Sequence, residues 1–180
     1  MLAAMLRMFS TLTRSTRLPA LGLISILCVA LNLPAFALSA RETDYQDWRV
    51  RCETPSSGGA EQCVMFQSVV AQERDARILN VAVRYSDEDP APIAYVAAPL
   101  GVYLPSGLSL SIDNGKTLRL PFEFCNASGC HTRLKLEDDL LLSLKQGGTA
   151  QFIIVQFTGG QQFTATVSLR GFTAAFDALK

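Results

Sequence analysis

Apolar and polar residues alternate in short runs along much of this 180-residue chain, and the alternation constrains the fold more than any other feature. Trp48–Cys52 and Leu108–Ile112 alternate strictly, and Ile78–Tyr85 is rich in residues that favour strands. Successive side chains of a strand point to opposite faces, so this period is typical of strands and not of helices. The pattern predicts an all-β fold of about eight or nine short strands.

Turn-forming residues separate these runs. Residues 113–116 read Asp-Asn-Gly-Lys between two alternating runs. Asn114-Gly115 suits a tight hairpin, because both central residues of such a turn must tolerate positive φ. Gly159-Gly160 separates Gln151–Phe157 from Phe163–Leu169 and predicts a second hairpin. Many short strands joined in this way predict a β-sandwich or a β-barrel.

Two segments break the alternation and predict one or two short helices. Residues 137–139, Glu-Asp-Asp, precede three leucines, and Lys145 and Gly147 follow. Acids at the start, a cation near the end and glycine just beyond it suit the helix dipole and a C-cap. The stretch from Phe172 to Leu179 also has apolar residues at helical spacing.

The first 37 residues predict a secretory signal peptide. They contain three arginines and no acidic residue, then an apolar run from Leu18 to Leu33 and the small residues of Ala35-Phe36-Ala37. A membrane anchor is the alternative, but the run is short for a span of roughly 20 residues. We expect cleavage after Ala37, with Ala40 as the second choice, and a single domain at residues 38–180.

Removal of this leader makes the chain mildly acidic. The whole chain has 16 basic and 16 acidic residues, so loss of three arginines leaves 13 and 16, a net charge of −3. That balance gives no electrostatic reason to expect nucleic acid or anionic lipid as a partner. No later stretch is long and apolar enough to span a membrane.

Four cysteines remain in residues 38–180, namely Cys52, Cys63, Cys125 and Cys130. An even number of cysteines in an exported chain predicts disulfides. Of three possible pairings we favour Cys52–Cys63 with Cys125–Cys130, because each bond closes a local turn. A Cys-X-X-Cys redox motif is absent from these positions, and their spacings fit zinc ligand pairs poorly. We expect no metal, and no cofactor, since no phosphate-binding glycine loop occurs either.

Catalytic candidates are few. His131 is the only histidine, so a Ser-His-Asp mechanism would have to use it, and no Gly-X-Ser-X-Gly sequence occurs. The acid clusters at 87–89 and 137–139 stand on a turn and at a helix start, where solvated acids are expected without glycosidase chemistry. We therefore expect no catalytic residues and no enzyme.

Short motifs spread over nearly all of residues 38–180 carry a family resemblance. They are Asp47–Cys52, Glu61–Cys63, Pro99–Pro105, Leu110–Asp113, Leu120–Phe122, Gly129–Cys130 and Val167–Ala175. In this order and spacing they resemble the invasion-associated locus B family of bacterial exported proteins.

The resemblance implies a β-sandwich with immunoglobulin-like topology, located in the periplasm, at the outer membrane or outside the cell. The family's cysteines correspond to the four cysteines above, which supports the disulfides. Some members are associated with entry of pathogens into host cells, so that role applies only if the source is a pathogen. The family has no agreed catalytic residues to transfer.

Three functions follow, in order of preference. The first is a non-enzymatic interaction or structural module of the cell envelope, whose partner is an envelope or host protein. The second is a small-ligand carrier with a pocket between its sheets. The third is an exported hydrolase that uses His131.

Overall fold

Two antiparallel sheets make up the computed structural model, which describes residues 40–56, 58–71, 76–86 and 90–180. The strands are β1 (Arg41–Tyr45), β2 (Trp48–Glu53), β3 (Gln62–Ala71), β4 (Ala76–Arg84), β5 (Ile93–Ala98), β6 (Leu108–Ile112), β7 (Leu118–Leu120), β8 (Phe124–Asn126), β9 (Gly129–Lys135), β10 (Thr149–Val155) and β11 (Gln162–Ser168), and the helices are α1 (Asp138–Gln146) and α2 (Phe172–Asp177). The predicted leader and the acid cluster at 87–89 lie outside the described residues.

The larger sheet has the strand order β1-β2-β3-β4-β5-β9-β8, and the smaller has the order β11-β10-β6-β7. The first five strands follow one another as a meander. The chain then crosses to the smaller sheet for β6 and β7, returns for β8 and β9, and crosses again through α1 for β10 and β11. Buried residues of both sheets form one hydrophobic core cluster.

The core lies between the inner faces and follows the period-two pattern of the sequence. In β2 the side chains of Trp48 and Val50 are buried while Arg49 is exposed. The ring of Trp48 meets that of Phe172 edge-on, with centroids 5.2 Å apart, so α2 closes one side of this core. The prediction of an all-β sandwich with one or two short helices and two disulfides is confirmed, and two helices form.

Helix α1 lies where the charge pattern predicts it. A left-handed backbone does not explain the glycine at its C-terminus, however. Gly147 has φ −75°, which any residue adopts. A Cβ there would lie 2.7 Å from Ile112 Cγ2 and 2.9 Å from the backbone oxygen of Ser143. Glycine is therefore required because the helix end packs closely on β6.

The β6–β7 hairpin forms, but the prediction of its central residues is wrong by one position. Positive φ occurs at Asp113 (45°) and Asn114 (58°), and the N–H of Gly115 closes the turn on the Ile112 oxygen at 2.7 Å. The Asp113 carboxylate accepts bonds from the backbone N–H groups at positions 148 and 149, which hold it in the turn. The second hairpin, with positive φ at positions 159 and 160, is confirmed.

Candidate functional site

The β8–β9 hairpin carries the second cysteine pair. Cys125 and Cys130 are direct cross-strand partners and form a disulfide, with Cys130 buried and Cys125 exposed. Gly129 follows the turn with φ 138°, and a Cβ there would lie 2.3 Å from the backbone oxygen of Ala98. The hairpin is thus fixed twice, by a covalent bond across it and by close packing of its backbone on β5.

His131, the only histidine of the chain, lies on this hairpin. Its Nε2 is 3.1 Å from the Asn126 Oδ1 atom and 3.1 Å from the Ser128 Oγ atom. The Ser128 hydroxyl also donates to Asn126 Oδ1 at 2.6 Å, and the Ser128 N–H donates to the same oxygen at 2.8 Å. Asn126 therefore organises the turn and binds the imidazole edge.

This arrangement does not form a nucleophile–base relay. A serine hydroxyl has one proton to donate, and the shorter contact of Ser128 is the one with Asn126. Within the described residues, the imidazole of His131 forms hydrogen bonds with Asn126 and Ser128. Neither side chain is the carboxylate that orients the base in a triad. The sequence candidate for catalysis is thus a turn-stabilising residue in this structure.

Phe124 turns the hairpin into a candidate binding surface. Its ring stacks on that of His131, with centroids 4.7 Å apart and planes at 13°, and the Phe124 side chain is 52% exposed. We call these two stacked rings the Phe124–His131 platform. Beside it Arg133 Nε donates to Glu123 Oε2 at 2.7 Å, a surface ion pair of small energetic weight. A rigid exposed aromatic is a common anchor of protein interfaces because little side-chain entropy is lost on binding.

His131 was a candidate from the sequence, whereas Phe124 was not predicted. The signal was present in the cysteine pairing, because a bond between directly opposite residues fixes the hairpin register. One step outward from Cys125 and Cys130, that register places Phe124 opposite His131.

The first cysteine pair lies apart from this hairpin, between β2 and β3. Cys52 and Cys63 are direct cross-strand partners joined by a disulfide. Their sulfur atoms and a Glu61 carboxylate oxygen lie within 4.8 Å of one another, a grouping of metal-ligand type. Cysteine binds zinc as a thiolate, and a disulfide has no thiolate, so while the bond is oxidised these two cysteines are a staple and Glu61 is the one ligand left.

A small cavity lies between the sheets. The cavity there has a volume of about 20 Å³, lined by core residues such as Trp48, Val81 and Phe152. That is room for about one water molecule, whereas sites for small organic ligands have volumes of about 300–1,000 Å³. This cavity is therefore too small for a small organic ligand.

The acid cluster at the start of α1 is solvated, as predicted. Asp138 and Asp139 lie exposed in the first turn of the helix, and Glu137 precedes them as the exposed N-cap residue.

Neither helix of the described part of the chain is long and apolar enough to cross a membrane.

The fold and its hairpin define a class of small β-sandwich domains whose surface hairpins are stapled by cross-strand disulfides. Within that class the chain belongs to the Invasion associated locus B (IalB) family, whose model matches residues 48–180. The family resemblance seen in the sequence motifs is confirmed.

Individual relatives agree with this membership. The chain is 29% identical over 159 residues to an invasion protein B homolog of Brucella abortus (strain 2308), covering 88% of this chain and 90% of that protein. The same figures hold for an invasion protein B homolog of Brucella abortus biovar 1 (strain 9-941). The crystal structure of invasion associated protein B from Bartonella henselae has the same fold, with a TM-score of 0.69 at 18% identity, over 77% of this chain and 94% of that one.

Proposed function

We propose that this protein is exported, that residues 1–37 are removed as a signal peptide, and that residues 38–180 act as one non-enzymatic interaction domain of the cell envelope. Family membership and the composition of the leader support export. The relatives named above carry the name of invasion proteins, which supports a role in contact with a host only where the source is a pathogen. The compartment of action is the periplasm or the outer surface, and the partner is an envelope or host protein.

The observation that carries this proposal is the Phe124–His131 platform. Folded domains place large aromatic rings inside, and an aromatic ring left half-exposed on a rigid hairpin has apolar area available for a partner. The disulfide and the packing of Gly129 fix the platform before binding, so association loses little conformational entropy.

Affinity capture with matched variants tests the proposal. The purified protein and its Phe124→Ser variant are each exposed to envelope extract, and co-purifying proteins are identified by mass spectrometry. Leu142→Ser is the control, because Leu142 on α1 is 53% exposed, nearly the same as Phe124. We expect a partner that binds wild type and the Leu142 variant but loses most of its binding with Phe124→Ser. Equal capture by all three proteins would show that the Phe124–His131 platform does not bind the partner.

Two substitutions of His131 separate stacking from catalysis. His131→Phe keeps a flat ring against Phe124 and removes the imidazole nitrogens, whereas His131→Ala removes the stack. We expect the phenylalanine variant to retain capture and the alanine variant to lose part of it. Loss with both variants, together with an enzymatic activity that disappears with His131, would support the hydrolase alternative instead.

A further inference from the structure

A second exposed apolar surface lies where β5 leads towards β6 and where β10 turns into β11. Four large apolar side chains contribute to it, and we call them the apolar tip: Leu100 (58% exposed), Tyr103 (41%), Leu104 (50%) and Phe157 (71%). The rings of Tyr103 and Phe157 lie together, with centroids 6.5 Å apart, although they are far apart in sequence. Apolar patches of this kind on a small domain usually mark an interaction surface.

Backbone hydrogen bonds hold the apolar tip in place. Val102 and Gln156 form an isolated antiparallel bridge. On either side of it the Tyr103 N–H donates to the Val155 oxygen and the Phe157 N–H donates to the Gly101 oxygen, each at 2.8 Å. The tip is therefore two exposed loops joined by strand-like pairing.

The next turn is also internally bonded. Leu104–Ser106 is a short 3-10 helix, in which the Ser106 N–H donates to Tyr103 and the Gly107 N–H donates to Leu104. Arg119, from β7, donates to the backbone oxygens of Ser106 (2.7 Å) and Pro105 (2.8 Å). These bonds matter because a backbone N–H or carbonyl group without a hydrogen-bond partner is costly in a hydrocarbon environment. The backbone groups named here already have partners within the protein.

Charge is missing from the two segments that build the tip. No Asp, Glu, Lys or Arg occurs in residues 90–112 or in residues 146–169. Interfaces between proteins usually carry a polar and charged rim that sets register and orientation. A bilayer surface needs no such register, and it favours leucine and aromatic side chains at the level of the headgroups.

We propose that the apolar tip inserts into the surface of a phospholipid bilayer, with neutral phospholipid as its ligand. The contact is mainly hydrophobic, because the two tip segments carry no charge, Arg119 beside them donates to the backbone oxygens of Ser106 and Pro105, and residues 38–180 have a net charge of −3. It uses side chains other than those of the Phe124–His131 platform, although the platform hairpin lies next to the tip, since Cys130 pairs with Ala98, two residues before Leu100. This inference goes beyond the proposed function and does not depend on it.

Tryptophan fluorescence tests insertion directly. Trp48, the single tryptophan of the chain, is buried and gives a constant background. The purified protein carrying Phe157→Trp is mixed with phosphatidylcholine vesicles, and Leu142→Trp is the matched control. Leu142 is exposed on α1, which precedes β10, while Phe157 follows the end of that strand.

We expect the emission of the Phe157→Trp variant to move to shorter wavelength with vesicles, unchanged by added salt, while the emission of the Leu142→Trp variant stays constant. No shift, an equal shift in both variants, or a shift abolished by salt would overturn the proposal. A blue-shifted emission at position 157 without vesicles, together with a dimer in solution, would assign the tip to a second copy of the chain instead.

A double serine variant supplies an independent readout. Leu104→Ser with Phe157→Ser should reduce vesicle binding by about tenfold or more, because two large apolar side chains no longer enter the interface. Leu142→Ser should bind as wild type does. Thermal melting checks that each variant is folded, and full binding by a folded double variant would contradict the proposal.

Discussion

The indole Nε1 of Trp48 donates a hydrogen bond of 2.8 Å to the backbone oxygen of Ser168. This bond joins the start of β2 in the larger sheet to the end of β11 in the smaller one, across 120 residues of sequence. Gln67 binds the same residue twice, as Nε2 donates to the Ser168 oxygen and Oε1 accepts from the Ser168 N–H. The two sheets are therefore tied by polar bonds as well as by their shared core.

The shared acceptor predicts coupling between Trp48 and Gln67. Trp48→Phe should lower the free energy of unfolding by about 1–3 kcal/mol, because a buried indole bond is lost while the ring packing is largely kept. Gln67→Met should have an effect of similar size. Chemical denaturation of both single variants and the double variant should show clear non-additivity, since one oxygen accepts both bonds. Strict additivity would contradict the shared role of Ser168.

The two disulfides should differ in their effect on stability. The bond Cys52–Cys63 spans a sequence separation of 11 and Cys125–Cys130 spans 5. The loop-entropy model then gives about 3 and about 2 kcal/mol, respectively. Paired alanine substitutions measured by urea unfolding should reproduce this order. Peptide mapping without reductant should recover the two local pairs, whereas four free thiols or bound zinc would refute them.

Two neighbouring glycines should respond differently to alanine. A Cβ at Gly147 would lie 2.7 Å from Ile112 Cγ2, while one at Gly148 would meet nothing closer than an Asp113 oxygen at 3.6 Å. We expect Gly147→Ala to destabilise the protein by about 1–3 kcal/mol through overpacking. Gly148→Ala, the matched control, should be near neutral in thermal melting. Equal effects would mean that the end of α1 does not pack on β6 as described.

Asp113 should give stability a specific dependence on pH. The N–H groups of Gly148 and Thr149 donate to its carboxylate, and they hold its pKa below the ordinary value. Because the pKa of Asp113 is lower in the folded state than in the unfolded chain, the ionised carboxylate stabilises the folded state at pH values above the unfolded pKa. This stabilisation is lost as the pH falls through the folded pKa. Asp113→Asn tolerates the positive φ but removes the charge.

We therefore expect the Asp113→Asn variant to be less stable than wild type at neutral pH, and the difference to shrink below about pH 4. Urea unfolding of both proteins across that range measures the difference. A gap that stays constant from neutral to strongly acid pH would contradict a role for the charge.

The sequence predicted strands with one buried face and could not predict a strand that has none. Residues 41–45 carry no alternation because β1 is an edge strand whose side chains are mostly exposed. Its place comes from backbone pairing with β2, which side-chain periodicity does not report. By contrast, β6 was predicted at its observed bounds, since alternate side chains enter the core.

Surface chemistry was harder to predict than the core, for a related reason. The centre of the β6–β7 turn lies one residue before the predicted Asn114-Gly115, because backbone N–H groups from a distant segment of the chain hold Asp113. Local turn preferences do not include such long-range hydrogen bonds. The platform required a pairing between Phe124 and His131 that becomes visible once the hairpin register is known. A contact distant in sequence decided the first feature, and cross-strand pairing within one hairpin decided the second.

Site-specific photo-cross-linking in intact cells tests the central claim most directly. A photoreactive phenylalanine analogue replaces Phe124 in one strain and Leu142 in another, two sites of nearly equal exposure. The account predicts a reproducible protein adduct from position 124, weakened by His131→Ala, and none from position 142. No adduct from position 124, or the same adducts from both positions, would contradict an interaction domain that acts through the Phe124–His131 platform.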